Sequence, residues 1–344
     1  MSETDKAACA AMLACGSRSF HAASRLLPRR VRFAATALYA FCRVADDAID
    51  NAGVQDQPAA LAALYARLDA IYAGTPADFP EDRAFATVAA RHGIPKELPA
   101  ALLEGFAWDA QGRLYPDYPS LLEYAARVAG AVGAMMALVM GARSQETIAR
   151  ACELGMAMQL SNIARDVGED ARNGRLYLPL DWLAEERVDA AAFLARPIYY
   201  VGVQNVVARL LGEADLLYRQ AASGIAQLPW DCRAAINAAR RLYEAIGHQA
   251  GSYGFDPVEQ RAVVPKRRKV ALVARALWDT AVPAAATRGV MPQAAENLVL
   301  ACIAESVTID VRRPLWRRAE ARAVWMIELM AQLEERQHAA AGQP

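Results

Sequence analysis

At 344 residues the chain is long enough for one large domain or two small ones, and its 38 basic and 38 acidic side chains cancel to a formal net charge of zero. A neutral chain has no global attraction for nucleic acid, so any anionic partner must be held by a local site. Apolar residues make up 55% of the chain, Ala and Leu dominate and β-branched runs are scarce, which points to an all-α fold around a large core.

Helical periodicity is read over residues 5–24, 30–51, 59–72, 81–92, 96–111, 120–141, 145–173, 200–226, 229–253 and 266–287. Glu3 and Asp5 precede any apolar run, so neither a secretory signal nor an acid-poor transit peptide is expected. Pro28 and Pro229 sit where proline is tolerated, in or just before a first turn, and Ser144 is placed to cap the helix that follows it. Pro/Gly clusters at 74–80 and 93–99 read as turns, so residues 1–344 are expected to form a single all-helical domain. The run 128–142 holds Gly130, Gly133 and Gly141 among Ala, Val and Met, which suits either close helix packing or a groove for a long apolar ligand. Met135, Met136 and Met140 would be wall residues of such a groove, or plain core. As an uncharged stretch it falls short of the ~20 residues a membrane-spanning helix needs. The segment Asp256-Pro257-Val258-Glu259 resembles a capping box opening a short turn that Pro265 interrupts.

The stretch 277–344 is left unassigned, but within it Arg312, Arg313, Arg317, Arg318 and Arg322 lie near Trp316 and Trp325. That mix suits peripheral contact with an anionic membrane surface, a solvated basic helix face being the plainer meaning. Six cysteines (Cys9, Cys15, Cys42, Cys152, Cys232, Cys302) form no C-x-x-C pair and the four histidines show no ligand spacing. Free thiols in the cytoplasm and no zinc are the expectation.

Two helices are apolar nearly all the way round, 31–49 and 148–167, which marks them for the middle of a bundle, yet each carries charge. On the first, Tyr39, Arg43, Asp46, Asp47 and Asp50 fall within an arc of roughly 100°. On the second, Gln159, Asn162, Asp166 and Asp170 fall within roughly 80°, with Glu169 on the margin. Like charges at this spacing destabilise a helix by ~0.2–0.5 kcal/mol per pair, and more when withdrawn from water. Oxygen ligands without His or Cys indicate a hard cation, and magnesium suits carboxylates shared with phosphate oxygens, manganese being the alternative ion. Arg43 would add a cation for a diphosphate. A solvated acidic helix end competes as an explanation for one D-D-x-x-D, but less well for two such stripes.

The segments "SRSFHAASRLLP", "ALYAFCRVADDAID", "RVAGAVG", "MQLSNIARDVGEDARNGRLYLP" and "RRLYEAIGHQAGSYGFDPVEQRAVVPKRRK" resemble, in order and spacing, the signatures of the squalene/phytoene synthase family, over about residues 17–269. The resemblance implies a helical bundle around a central cavity, and magnesium and diphosphate bound by Asp46, Asp47, Asp50, Asn162, Asp166 and Asp170. It also implies that Ser17, Ser19, Phe20, Tyr39, Arg43, Gln159, Arg165, Tyr177, Tyr243 and Arg261 line or close the site, with Tyr39, Arg43 and Tyr243 beside the aspartates in catalysis. The run from Trp108-Asp109 to Tyr115 departs from the family's tighter Arg-aromatic turn, which leaves the closure of that side open. Lys266, Arg267, Arg268 and Lys269 either close the diphosphate end near Arg261 or are simply solvated.

The chemistry implied is head-to-head joining of two isoprenoid diphosphates through a cyclopropylcarbinyl diphosphate, in which water must be kept from a carbocation. The wording "FCRVADD" and "GRLYLP" tilts the expectation to two geranylgeranyl diphosphates and phytoene, ended by proton loss. No G-x-G-x-x-G follows a strand, so NADPH is not expected. Squalene or dehydrosqualene synthesis from farnesyl diphosphate is the alternative. A head-to-tail synthase or terpene cyclase fits the second acidic motif less well, and a catalytically silent assembly factor should have lost aspartates that are all retained here.

Overall fold

The computed structural model describes residues 2–16, 26–53, 55–250, 252, 256–281 and 291–304. Among them the Ala- and Leu-rich periodicity is realised as helix, with no strand. In chain order the helices are α1 (Glu3–Gly16), α2 (Arg29–Asp50), α3 (Gln57–Tyr72), α4 (Pro80–His92), α5 (Glu97–Ala110), α6 (Tyr118–Met140), α7 (Gln145–Arg172), α8 (Leu180–Glu185), α9 (Ala190–Ala195), α10 (Val201–Ile225), α11 (Trp230–Ala250), α12 (Lys266–Ala281) and α13 (Gln293–Ala304).

Local chemistry sets several of these boundaries. The Ser144 hydroxyl accepts from the Thr147 N–H at 3.2 Å and so caps α7, while Asp117 caps α6 through Ser120 N–H at 2.9 Å. α6 ends on Gly141, whose φ of 94° places it in the left-handed region where glycine carries no steric cost. The Asp256 carboxylate accepts from the N–H groups of Val258 and Glu259, giving the turn expected there. Three helices were not read from the periodicity: α8 and α9 are six residues each, too short to show a repeat, and α13 lies in the stretch left unassigned. The expected extension of the first helix to residue 24, the end of 266–287, and the Arg/Trp stretch 312–325 fall outside the described residues.

α7 occupies the centre and packs against α6, α10, α11 and α13. Its contact with α6 is backbone to backbone: a Cβ on Gly133 would come within 2.2 Å of the Ala151 carbonyl oxygen, and one on Gly155 within 2.1 Å of that of Ala129. These pairings run α6 antiparallel to α7. α10 is antiparallel as well, with Gly224 against Arg150 and the Tyr218 hydroxyl 2.9 Å from Ser161. α6 contains a π-helical stretch over Ala126–Gly130, in the segment that crosses Gly155.

As a continuous helix α6 is 23 residues long with mean hydropathy 1.4, so by length and composition it could cross a membrane. Counting only the uncharged run 128–142 missed this, because the helix also takes in Glu123 and Arg127. Its apolar window is 56% buried against neighbouring helices, as befits a core element.

Candidate active site

The first acidic stripe stands on α2. Arg43 leans along the helix, its Nη2 2.6 Å from Asp47 and its Nη1 3.5 Å from Asp46. Asp50, at the helix end, is reached from another element: Arg175, just past α7, places its Nη2 2.7 Å from the Asp50 carboxylate. The second stripe stands on α7. Asp166 is held by its neighbour Arg165, whose Nε donates at 2.8 Å, and by Arg261, whose Nε lies 2.9 Å away. Arg261 is brought in by the segment after Asp256, which lies directly on α7: a Cβ on Gly168 would meet the Val258 carbonyl at 1.9 Å, and Arg172 donates to that same carbonyl.

The two stripes meet electrostatically. Burial raises the Asp46 carboxyl to about 6, helped by Asp50 and opposed by Arg43 and Arg175. Burial likewise raises Asp170 to about 7, with Asp166 and Glu169 pushing in the same direction and Arg175 against it. A third carboxylate, Asp109 at the end of α5, joins them. It accepts from the Tyr177 hydroxyl at 2.7 Å and the Tyr124 hydroxyl at 2.9 Å, yet burial still lifts it to about 6. Arg175 acts on Asp46, Asp50, Asp109 and Asp170 alike, as the shared cation of carboxylates from three helices.

Asp109, Tyr124 and Arg175 were missed by sequence reasoning. Arg175 had a signal, two residues before Tyr177 in the "GRLYLP" run. Asp109 lay in the stretch read as a departure, and that stretch builds an aromatic floor: Tyr115 is fully buried, Tyr124 and Tyr177 stack with centroids 5.1 Å apart, and the Arg113 guanidinium sits 3.7 Å over Trp108. Of the residues expected at the site, Tyr39, Arg43, Gln159, Asn162, Arg165, Tyr177, Arg261 and the six metal-ligand candidates lie on these elements, and Tyr243 comes from α11. Ser17, Ser19 and Phe20 lie outside the described residues.

An apolar cavity of about 260 Å³ runs beside α7, with Gln159, Asn162 and Tyr243 at its acidic end and Val132, Leu154 and Met158 among its walls. Gly133 and Gly155 are lined up along it, so the groove and the close helix packing expected of this glycine-rich segment occur together. The residues suit a hard divalent cation. The donors are all oxygen, the carboxylates are short of positive charge, and the buried Asn162 Oδ1 has no hydrogen-bond partner among the described residues. Asp215, Glu244 and His248 form a separate group whose ligand atoms lie within 4.8 Å of one another. His248 is already 3.1 Å from Asp215, and Glu244 is engaged by Arg240 at 3.3 Å.

The Asp109 geometry carries a pH prediction. A carboxyl raised from 3.8 to about 6 contributes stability that is complete below its unfolded value and is lost as pH rises through its folded one. Asp109→Asn cannot ionise, so its melting temperature should gain on the wild type between about pH 4 and pH 7. A gap between the two melting curves that is independent of pH would show that Asp109 ionises freely in the fold.

An all-helical bundle whose apolar cavity ends on Asn162, one turn from Asp166 on α7, has the form of an enzyme for lipids with a charged head. The chain belongs to the squalene/phytoene synthase family, whose model matches residues 13–269. It is 54% identical over 275 residues to the phytoene synthase of Rhodobacter capsulatus, covering 80% of this chain and 81% of that protein. To the phytoene synthase of Cereibacter sphaeroides it is 45% identical, covering 97% and 95%. Among solved structures, a dehydrosqualene synthase bound to a ligand superposes with a TM-score of 0.72 at 30% identity, over 81% of this chain and 98% of that one. The squalene synthase HpnC of Alicyclobacillus acidocaldarius superposes with a TM-score of 0.65 at 25% identity, over 71% and 92%. The family acts on isoprenoid diphosphates and depends on a divalent metal.

Proposed function

We propose that this chain condenses two geranylgeranyl diphosphates head to head, through a cyclopropylcarbinyl diphosphate, to phytoene and diphosphate. The observation that carries the reading is the pair of acidic stripes on α2 and α7 at the mouth of the apolar tunnel, in a chain 54% identical to a phytoene synthase.

Magnesium, held by Asp46, Asp47, Asp50, Asn162, Asp166 and Asp170, would supply the positive charge that lets diphosphate leave. The protein's own groups do the rest. Arg43, Arg165, Arg175 and Arg261 bind and orient the diphosphates, and Ser17, Ser19 and Phe20 complete the substrate-binding set. Tyr39, Tyr177 and Tyr243 present aromatic faces that stabilise a carbocation without offering it a nucleophile. Asp109, clamped by two phenols, holds Tyr177 in place. Gln159 orients substrate at the tunnel mouth, and the walls beyond exclude water. Proton loss to a base or to the released diphosphate ends the reaction. Hydride quenching would instead need a nicotinamide held against the same cation.

The test is product analysis. With geranylgeranyl diphosphate and magnesium alone the enzyme should form phytoene, and NADPH should change neither rate nor product. Faster consumption of farnesyl diphosphate would overturn the chain length while leaving head-to-head chemistry intact, and squalene formed with NADPH would overturn the termination step.

A further inference from the structure

The tunnel has a far end, and its chemistry is unlike that of its walls. One face of α7 lines it throughout, with Asn162 next to the aspartates, Leu154 and Met158 in the middle, and Arg150 and Thr147 at the far end. At 1.5 Å per residue, Arg150 stands about 24 Å along the helix axis from Asp166. The antiparallel α6 and α10 bring Met140 and Gly224 to the same end.

Arg150 is buried, at 6% side-chain exposure, and is ion-paired at 3.0 Å with Glu153, which is wholly buried. Its stem lies on Gly224, where a Cβ would come within 2.2 Å of the Arg150 Cβ. One turn back, the Thr147 hydroxyl donates to Gln227 Oε1 at 2.6 Å. A buried pair of this kind is poor value for stability, because apolar residues of similar volume do as well or better. Burial in fact pushes the Glu153 carboxyl up to about 7 in spite of its partner. What the pair does provide is a fixed cation at one end of an apolar tunnel.

We propose that Arg150, held in place by Glu153, is the length stop of this tunnel. A four-isoprene tail ends against it, and a longer tail is excluded because its apolar end would have to push the buried guanidinium from its partner. The inference rests on the reading that a prenyl tail lies in the tunnel.

The test replaces both members, Arg150→Met with Glu153→Gln, so that no unpaired charge is left buried. The quantity read is the ratio of kcat/KM for the five-isoprene farnesylgeranyl diphosphate to that for geranylgeranyl diphosphate, so a general loss of turnover does not enter. The ratio should rise about tenfold or more. A folded double variant with the wild-type ratio would overturn the proposal. A second measurement needs no variant: a geranylgeranyl diphosphate analogue with a diazirine at its terminal isoprene is photolysed in the wild-type enzyme with magnesium. Label in the peptides holding Arg150 or Leu228, which lines the cavity four residues past Gly224, supports the stop, and label confined to other peptides, or none above a competed control, overturns it. Substrate choice by the wild type is scored apart, so a preference for farnesyl diphosphate removes the phytoene reading without deciding where a tail ends.

Discussion

Asp46→Asn and Asp166→Asn should each lower turnover by about 10²-fold or more, because each withdraws negative charge from the place where the diphosphate and its counter-ions must be gripped as the leaving group departs. The fold should survive both changes, and the two should differ in stability in a way that tests the geometry. The charge on Asp46 is disfavoured by burial and by Asp50, so without metal its amide variant should melt at or above the wild-type temperature at neutral pH. Asp166 lies between Arg165 and Arg261, so its amide variant sets two guanidiniums against a neutral oxygen in place of a carboxylate and should melt lower. Steady-state kinetics with circular dichroism melts check both. Loss of the fold on replacing Asp46 would make that aspartate structural.

Chelation should have an effect as large. Treatment with EDTA should abolish turnover and magnesium should restore it, because the arginines already serve as partners to the carboxylates. Arg43 is engaged by Asp47, Arg165 and Arg261 by Asp166, and Arg175 by Asp50. Four guanidiniums shared with these carboxylates can orient a diphosphate but do not balance the charge of one released, which leaves that to the metal. Substantial turnover in metal-free buffer would refute the two-stripe assignment.

The acidic stripes were legible in the sequence because both lie on helices that are otherwise largely apolar, where two such stripes are harder to explain as solvated helix ends than one. The central place of α7 followed from the same pattern. Asp109 and Tyr124 could not be found this way. They come from the end of α5 and the first part of α6, and they meet Tyr177 only because the chain returns there after α7, a contact that no periodicity within one helix encodes. Arg175 is an intermediate case, visible as a motif residue but not as the cation shared by carboxylates of three helices. The short helices α8 and α9 were missed for another reason: at six residues, each is under two turns of helix and shows no repeat to read.

α7 is one uninterrupted helix from Gln145 to Arg172, carrying tunnel-wall residues along its first half and more, and the second acidic stripe beyond them. The span between any wall position and the reacting end is therefore fixed by helical rise, and it cannot drift with loop length or with the repacking of a neighbour. Wall positions on this face come about two to a turn, so on the α7 side the depth changes in steps of about 5.4 Å when a small side chain is exchanged for a large one from one turn to the next. Substrate length in such an enzyme is inherited as a choice among discrete settings. Ala151, Leu154 and Met158 mark the levels at which a single substitution would move this chain from one setting to the next.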